Sequence, residues 1–569
     1  MEKYENRHIS EMPLSSPFFR KKVERFLGEN GLRMEALDVY YAIEDEDGNI
    51  LAGVGLSRDI IKCIAVAEQA RQEGLVAPLV SHLISLASAR GILELKLFTK
   101  PENQAIFESL GFHLLASAPK AILMENGRGL ERYCAYLKGF AKEGRCGVVV
   151  MNANPFTLGH QYLLEQAASQ VDTLYVIPVK EDLSQFPYTE RLAMIQAGSP
   201  LPSKVVVLEG SNYQISAATF PTYFLKDLSD AAETQMLLDL DLYSRWIAPA
   251  LNATVRFVGS EPLDALTNQY NTLIPNAVII PRLTAEKNYF LQGFAKNQFS
   301  SANATPTSEG VISASKVRKY LAEGDFHSAA ALCPETTWPY LLAVLAQRAL
   351  QMELDLPMKP GLVCPDSNGA HKDMDYALMQ KGIAAIRPFF APMALAASAD
   401  ELRTLGIEAE KAMMEATGGV NTHRGAIFCL GLALNAWTQG AHTEELMQLT
   451  LGKIAGGIYA KSQIISSLPP RGAMAMALGG YKQLFEDWLP FYRQEKDALK
   501  TLLRIMSTLD DTCVVKRVGY ERAQQVKREA ASLIPGLTRD LCDRYAAEGI
   551  SPGGAADMLA LTIFIDSII

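Results

Sequence analysis

The chain has 569 residues, 49% of them hydrophobic, so it contains enough apolar sequence for several buried cores. At roughly 150 residues per domain, this length predicts three or four domains. The formal net charge of −9 and the pI near 5.6 argue against a general nucleic-acid binder, because such proteins present a basic surface.

The eight cysteines are scattered and include no C-x-x-C pair. This pattern predicts reduced thiols and argues against a disulfide framework or a zinc site. The N-terminal segment is too polar for a signal peptide, and no apolar stretch reaches the roughly 18 residues that a membrane helix needs. We therefore expect a cytoplasmic protein with neither a membrane nor a nucleic acid as partner.

The first region, residues 1–140, mixes strand and helix signals, which predicts an α+β domain. A turn at residues 46–49 separates the first two strands as a hairpin, and a helix is expected to end near Arg90. The last strand alternates in polarity and is predicted to be half-buried. The strand-like runs are residues 40–43, 50–56, 60–66 and 93–98.

The second region, residues 144–339, alternates strand-like runs with helix-capable stretches, which predicts an α/β Rossmann-like domain with a parallel sheet. Residues 294–310 are rich in Ser, Asn, Ala and Thr and are predicted to form a mobile loop, placed where a lid over ATP would lie. The strand-like runs are residues 146–151, 173–179, 205–208 and 255–258.

The third region, residues 340–569, changes to Ala-, Leu- and Met-rich helical patterns interrupted by polar islands, which predicts an all-helical domain whose helix ends carry the chemistry. The expected helices include residues 408–416, 426–437, 444–461 and 495–506. The islands are residues 359–363, 368–375, 418–425, 510–512 and 551–554.

The strand at residues 146–151 leads directly to Gly159 and His160 at a predicted helix start. Free N–H groups and the positive dipole end of a helix favour phosphate there. Gly159 would let the backbone approach a nucleotide, and His160 would bond an α-phosphate oxygen. Thr157 lies beside it, so the segment predicts an enzyme that attacks ATP at its α-phosphate.

A second helix start, at Ser313 and Ser315, carries Lys316 and Arg318, which suit a leaving pyrophosphate. The strand at residues 255–258 runs into Gly259 and Glu261 at the carboxyl edge of the sheet, where open α/β sheets bind ligands. Arg191 is a further candidate, although Arg191 and Glu261 are equally typical of structural ion pairs.

Residues 154–160 together with 312–318 resemble the H/T-x-G-H nucleotidyltransferases. Residues 1–340 more narrowly resemble the citrate lyase ligases. The runs 257–261 and 280–283, together with the first region of the chain, carry this narrower resemblance. The resemblance implies ATP-dependent acetylation of a thiol on the acyl carrier protein of citrate lyase through acetyl-AMP. It also adds Asn154 and Phe156 to the nucleotide-binding candidates.

The first region resembles the GNAT acetyltransferases through Gln72-Glu73-Gly74-Leu75-Val76 and the later Asn103…Gly111-Phe112. That family holds the CoA pyrophosphate with backbone N–H groups of such a turn. Val76 stands where the family has a small residue, and its branched side chain would crowd the turn. This favours a retained fold that orients or recognises a partner over acyl transfer.

The five islands of the third region resemble the triphosphoribosyl-dephospho-CoA synthases, which join the ribose of ATP to dephospho-CoA and release adenine. Carboxylates would stabilise oxocarbenium-like charge on the sugar, and the triphosphate would need Mg²⁺ with hard oxygen ligands. The catalytic candidates are Asp373, Asp510, Asp511 and His371, and the metal candidates are Asp366, Asp375, Asp510 and Asp511. The candidates for nucleotide contact are Lys359, Lys372, Asn421, His423 and Arg424.

These resemblances predict a bifunctional enzyme that uses ATP, Mg²⁺, acetate, dephospho-CoA and the carrier protein. Three alternatives stay open from the residues. The second region could transfer AMP to a phosphopantetheine-like or mononucleotide acceptor. The chain could be a non-catalytic assembly protein that binds ATP and the carrier. The precursor made by the third region could also serve malonate decarboxylase.

Overall fold

The computed structural model describes residues 8–180, 184–214, 220–221, 229–260, 265–283, 312–462, 472–533 and 539–569. They form two compact units: the described residues of 1–154 and 159–287, and those of 155–158 and 288–569. The three domain boundaries expected from the sequence stay a prediction. All eight cysteines lie in the described part and are free thiols.

The first unit contains a mixed sheet in which the β4–β5 pair is parallel and the other neighbouring pairs are antiparallel. Its strands are β1 (Ile9–Glu11), β2 (Val39–Glu44), β3 (Ile50–Ser57), β4 (Ile60–Val66), β5 (Leu95–Thr99), β6 (Phe112–Ser117) and β7 (Ile122–Asn126), in the order β1-β2-β3-β4-β5-β7-β6. Its helices are α1 (Pro17–Glu29), α2 (Val76–Ala89), α3 (Gln104–Glu108) and α4 (Gly129–Lys138). The predicted α+β class is confirmed.

The prediction that the strand now called β5 is half-buried was wrong, because both faces of this sheet are covered. One face packs against α2 and α3, with Leu83 and Leu97 in its core. On the other face Phe98 joins a core with Tyr175 and meets the ring of Phe220 edge-on at 5.4 Å. The strand is therefore buried along its whole length.

The second sheet of this unit is entirely parallel, as predicted, in the order β10-β9-β8-β11-β12. Its strands are β8 (Cys146–Met151), β9 (Thr173–Pro178), β10 (Val205–Val207), β11 (Ala253–Gly259) and β12 (Ala277–Ile280). Its helices are α5 (Leu158–Ala168), α6 (Tyr188–Gly198), α7 (Ser229–Leu242), α8 (Ala248–Ala250) and α9 (Ala265–Leu273). The strand order reverses between β8 and β11, which marks the crevice where such sheets bind ligands.

The second unit is helical, which confirms the all-α prediction. Its helices are α10 (Ala314–Glu323), α11 (Phe326–Ala330), α12 (Trp338–Leu354), α13 (Tyr376–Leu395), α14 (Ala399–Ala416), α15 (Arg424–Thr438), α16 (Glu444–Ser462), α17 (Gly472–Leu478), α18 (Leu489–Glu495), α19 (Ala498–Thr508), α20 (Thr512–Leu533), α21 (Arg539–Glu548) and α22 (Gly553–Ile568). Helices α12, α15 and α22 pack on one another, and their buried faces include Trp437 and Phe564. None of the helices in the described ranges has the length and apolarity to cross a membrane.

The helix expected at residues 495–506 begins later than predicted. Helix α18 ends at Glu495, Lys496 has a left-handed backbone with φ of 52°, and Asp497 caps α19 by accepting the Lys500 N–H at 3.0 Å. An aspartate that can cap a helix favours a new N-terminus over continuation of the old one. The predicted loop at 294–310 lies outside the described residues.

Candidate functional sites

His160 lies in the first turn of α5, directly after β8 at the carboxyl edge of the parallel sheet. Burial, together with the nearby positive charge of Arg282, lowers the pKa of His160 to about 4. The ring is therefore neutral near pH 7 and offers one N–H donor rather than a positive charge. Asn154 precedes it, and its Oδ1 accepts the Phe186 N–H at 3.2 Å, which fixes the turn.

Arg282 reaches this edge because the ends of β11 and β12 are tied together. Ser260, which follows Gly259, donates its N–H to Ile280 O at 2.8 Å. Arg282 in turn donates its backbone N–H to Ser260 Oγ at 3.0 Å and its Nε–H to Ser260 O at 2.9 Å. The arrangement holds a guanidinium beside His160. Glu261 lies outside the described residues.

Arg191, a predicted nucleotide contact, is instead completely buried among backbone carbonyls. It donates to the carbonyl oxygens of Asn152, Val179 and Phe186 at 3.0, 2.8 and 3.0 Å, and to Asn152 Oδ1 at 2.7 Å. These bonds join the loops that follow β8 and β9. The side chain thus shapes the edge on which His160 sits.

The predicted residues Phe156 and Thr157 belong to the second compact unit and are both buried. Phe156 O accepts the Thr337 hydroxyl at 3.0 Å, and the Leu158 N–H donates to Leu332 O at 2.9 Å. The short segment is thereby fixed to the helical region.

The candidates at the second helix start also lie in the second unit, on α10. Ser313 is its N-cap, and its Oγ accepts the Lys316 N–H at 3.2 Å, which stabilises the start of the helix. Arg318 donates to Ser315 Oγ at 3.3 Å. The side chains of Lys316 and Arg318 occupy the first two turns of the helix.

Two adjoining cavities lie in the helical unit, one of about 650 Å³ and one of about 330 Å³. Both volumes are in the range of small-molecule sites. They are called here the larger and the smaller cavity. The residues that line both are Asn421, Arg424, Gly425, Cys513, Lys516 and Asp557. All five polar islands contribute to the two linings, mainly at the starts of α15, α20 and α22.

The Asp-Asp pair that borders the larger cavity splits into two different environments. Asp511 is buried and accepts the N–H groups of Cys513 and Ala555 at 2.8 and 3.0 Å, which joins the starts of α20 and α22. Burial raises its pKa against the effect of these bonds. Asp510 is exposed and pairs with Lys527 at 2.8 Å.

Asp557, on α22, forms part of the wall between the cavities, where it is half-buried against Gly425 at the start of α15. Burial, and then the negative charges of Glu353 and Asp511, raise the pKa of Asp557 well above its usual range. A Cβ atom at Gly425 would lie 1.9 Å from Asp557 Oδ2, so only glycine leaves room for this carboxyl group. Lys359, a predicted phosphate contact, is buried and donates to Glu353 Oε1 at 2.6 Å.

Two histidines line the smaller cavity. His423 is 4% exposed, its Nδ1 lies 2.9 Å from Thr422 Oγ1, and its Nε2 has no hydrogen-bond partner within the described ranges. Burial and the Lys359 charge lower the pKa of His423 to about 3. His371 Nε2 lies 2.8 Å from Ser551 Oγ, and burial, with the charge of Arg517 on its other side, lowers its pKa.

The four predicted magnesium ligands are not brought together. Asp366 lies 3.7 Å from the Arg539 guanidinium, and Asp375 caps α13. Asp510 and Asp511 alone of the four border a cavity. The described residues contain no group of three or more His, Cys, Asp or Glu side chains that could hold a metal ion. We therefore derive no chemical step through a protein-bound metal.

The remaining candidates of the helical unit lie at the protein surface or at the place where the two cavities meet. Lys372 and Asp373 are exposed and line neither cavity, although an Asp373 oxygen lies 3.9 Å from His371 Nδ1. Asn421 Oδ1 accepts the Arg424 N–H at 3.1 Å, so both stand at the start of α15, where the cavities meet.

A family model described as the citrate lyase ligase C-terminal domain matches residues 146–341, and one described as ATP:dephospho-CoA triphosphoribosyl transferase matches residues 339–465 and 458–569. The citrate (pro-3S)-lyase ligase of Escherichia coli is 38% identical over 327 residues, which cover 57% of this chain and 90% of that protein. The 2-(5''-triphosphoribosyl)-3'-dephosphocoenzyme-A synthase of Pectobacterium atrosepticum is 35% identical over 266 residues, which cover 39% of this chain and 88% of that protein. The chain belongs to both families.

The expectation of an enzyme with a ligase part and a transferase part is thereby confirmed. A solved structure of Thermotoga maritima TmcAL bound with alpha-thio ATP is 12% identical, covers 59% of this chain and 92% of that chain, and has a TM-score of 0.19. At this TM-score the likeness carries no structural argument.

Four residues near these candidate sites were not among the predicted site residues: Arg282 in the ligase part, and Glu353, Arg517 and Asp557 in the synthase part. Arg282 and Asp557 do lie in the runs 280–283 and 551–557 that carry the two family resemblances. Asp557 and Arg517 lie next to polar islands, three residues after Gly554 and five after Thr512, which was a usable signal. Glu353 lies inside an apolar helical stretch, and only the fold shows that it faces Lys359.

Replacing Arg191 with methionine is expected to lower the melting temperature of the ligase part, because three buried carbonyl oxygens lose their donor at about 1–3 kcal/mol each. Arg191→Lys should recover little, since an ammonium cannot reproduce the guanidinium geometry. Thermal unfolding followed by circular dichroism measures the change. The matched control is Arg245→Met, which removes a 54% exposed arginine paired with Asp241. An equal effect of both substitutions would contradict the structural role.

Proposed function

We propose that the chain is a bifunctional enzyme that activates citrate lyase. Its ligase part acetylates the thiol of the prosthetic group on the acyl carrier protein, with ATP and acetate as co-substrates. Its synthase part makes 2'-(5''-triphosphoribosyl)-3'-dephospho-CoA, the precursor of that group, from ATP and dephospho-CoA. The observation that carries the proposal is the coexistence of two polar sites of different chemistry in one chain that belongs to both families.

In the ligase reaction an acetate oxygen attacks the α-phosphorus of ATP, and the bond to pyrophosphate breaks. The carrier thiol then attacks the acetyl carbonyl of acetyl-AMP, the thioester forms, and AMP leaves while the thiol proton passes to solvent. The neutral ring of His160 donates an N–H to an α-phosphate oxygen, where negative charge builds up, and Arg282 supplies positive charge. Binding of the pyrophosphate by Lys316 and Arg318 stays a prediction from the sequence.

In the synthase reaction the bond between C1 of the ATP ribose and adenine breaks, and a bond to the 2'-oxygen of dephospho-CoA forms. The leaving adenine needs a proton, and the attacking hydroxyl loses one. Asp557, whose raised pKa favours the protonated form, gives its proton to adenine, and the resulting carboxylate stabilises the oxocarbenium-like sugar and then takes the hydroxyl proton. The net transfer is one proton from hydroxyl to adenine through a single carboxyl group.

ATP is the shared co-substrate of the two reactions, attacked at different atoms. Mg²⁺ bound to its phosphates would neutralise their charge when present. The carrier protein, acetate and dephospho-CoA complete the proposed set of partners.

The test uses the full chain and resolves adenine, AMP and pyrophosphate. With ATP and dephospho-CoA, adenine should be released with the triphosphate retained. With ATP, acetate and the thiol form of the carrier, AMP and pyrophosphate should appear in equal amounts. Pyrophosphate release that needs no acetate would instead support adenylyl transfer to another acceptor, and binding without turnover would support an assembly protein.

The pH dependence of the ligase reaction is a further prediction. Because the pKa of His160 is depressed to about 4, its neutral form persists from pH 8 down to about pH 5. The rate ratio between the wild type and His160→Gln, whose amide is always neutral, should therefore stay constant from pH 5 to 8. A ratio that changes around pH 6.5 would show that His160 titrates normally and acts as a cation.

A further inference from the structure

The walls of the two cavities in the synthase part differ in chemistry. The larger cavity is lined mainly by apolar and flexible side chains, among them Met393, Leu402, Ile427, Phe428, Met474 and Met558. Methionine-rich walls adapt to flexible, weakly polar ligands. Three cations, Arg403, Arg424 and Lys516, also line the larger cavity. Its carboxyl groups, those of Glu410, Asp510, Asp511 and Asp557, outnumber them, so the wall has no excess of positive charge for a highly charged anion.

The smaller cavity, in contrast, is rich in positive charge and hydrogen-bonding groups. It is lined by Lys359, Lys516, Arg517, His371, His423 and Ser551. Lys516 and Arg517 are exposed on α20, ahead of the break that Gly519 makes in this helix with its φ of 80°. The partnerless, buried Nε2 of His423 marks a place where a ligand atom completes the hydrogen bonding.

We propose that the smaller cavity binds the triphosphate end of ATP and that the larger cavity binds the pantetheine arm of dephospho-CoA. The inference rests on the proposed synthase activity and deepens it by assigning each substrate its place. The two substrates then approach from opposite sides of the wall that the cavities share, and Asp557 in that wall faces both the ribose carbon and the attacking hydroxyl.

The volumes agree with this assignment. The pantetheine arm is a long, flexible chain, and the cavity of about 650 Å³ accommodates a drug-sized group. The cavity of about 330 Å³ suits a compact polyphosphate. In the reverse arrangement, the triphosphate would lie against a largely apolar wall in which carboxyl groups outnumber cations, so the desolvation of its charge would be poorly compensated.

Gly406 allows the larger cavity to be filled without disturbing the fold. It lies inside α14 and lines this cavity, and a Cβ atom there would have no neighbour within 4 Å. Gly406→Leu should raise the KM for dephospho-CoA by about tenfold or more and leave the KM for ATP within about twofold. The matched control is Gly456→Leu, inside α16, which has equal space at its Cβ position and lines neither cavity.

The smaller cavity is tested with Arg517→Ala, because Arg517 lines this cavity and not the larger one, whereas Lys516 lines both. The substitution should raise the KM for ATP by about 10–100-fold, since one charge-assisted contact contributes about 1.5–3 kcal/mol, and it should weaken competitive inhibition by inorganic tripolyphosphate. Arg528→Ala, at an exposed position of α20 beyond the break at Gly519 and outside both linings, is the control and should change neither.

If Gly406→Leu raises the KM for ATP and Arg517→Ala raises the KM for dephospho-CoA, the assignment is reversed and the inference fails. If the wild type releases no adenine, the proposed synthase activity fails. Calorimetric titration of the same variants with tripolyphosphate and with pantetheine still decides the assignment in that case, because tripolyphosphate binding that Arg517→Ala leaves unchanged overturns it.

Discussion

Replacing His160 with alanine is expected to lower acetate-dependent pyrophosphate release by about 100–1,000-fold, the usual cost of removing one donor to a charge-bearing transition-state oxygen. Adenine release from ATP and dephospho-CoA should stay at the wild-type rate. His160 and the cavities of the synthase reaction belong to different compact units, so the substitution touches only one reaction. The measurement is parallel quantification of pyrophosphate and adenine from the same preparation.

Two further variants separate hydrogen bonding from charge in this effect. His160→Gln keeps a neutral N–H donor and should recover part of the lost rate, because the native ring is neutral near pH 7. Arg282→Met removes the neighbouring charge and should also slow pyrophosphate release.

Loss of both reactions in His160→Ala would contradict separate sites, and an unchanged ligase rate would remove His160 from the chemistry. Equal rates for His160→Gln and His160→Ala would show that hydrogen bonding by the neutral ring contributes nothing.

Much of the fold could be predicted because its signals are local. The strand at residues 146–151 and the later apolar runs predicted the parallel sheet, because strands buried on both faces are rich in β-branched residues. The burial of Phe98 could not be predicted, because its alternating strand is covered on the second face by elements distant in the sequence. A pattern within one strand does not report what packs on its other side.

The candidate site residues differ in the same respect: the local sequence indicates some of them, and only the fold identifies the others. His160 and His423 both lie at helix starts, where the local sequence predicts ligand binding, and their roles stay predictions. Arg191 was predicted to touch nucleotide and is enclosed by carbonyls instead, since the same residue type serves both purposes and only burial distinguishes them. Glu353 and Asp557 lie about 200 residues apart, so their proximity exists only in the folded helices.

The Asp-Asp pair shows a finer limit. Both residues were predicted to be catalytic and metal-binding. Asp510, however, is exposed to solvent, whereas the carboxylate oxygens of Asp511 accept backbone N–H groups at two helix starts. Neighbouring residues at a helix start point in different directions, so a motif of two like residues does not define a common role. The acid on the wall between the cavities is Asp557, which is half-buried.

Replacing Asp557 with asparagine is therefore expected to lower adenine release by about 100–10,000-fold, the range of general acid–base contributions. Asparagine has nearly the same size and can still accept the Ala426 N–H that supports the carboxyl group. It can neither give a proton to adenine nor stabilise the sugar with negative charge. The KM values for both substrates should change little, because the lost interactions belong to the transition state.

Gly425→Ala provides an independent route to the same result, because its Cβ would lie 1.9 Å from Asp557 Oδ2 and must displace the carboxyl group. Gly456→Ala, with open space at its Cβ position, is the matched control and should leave adenine release unchanged. The ligase reaction of each variant serves as an internal check on the preparation. A folded Asp557→Asn enzyme that releases adenine within about tenfold of the wild-type rate would exclude Asp557 as the proton carrier, since loss of that proton transfer costs at least about 100-fold.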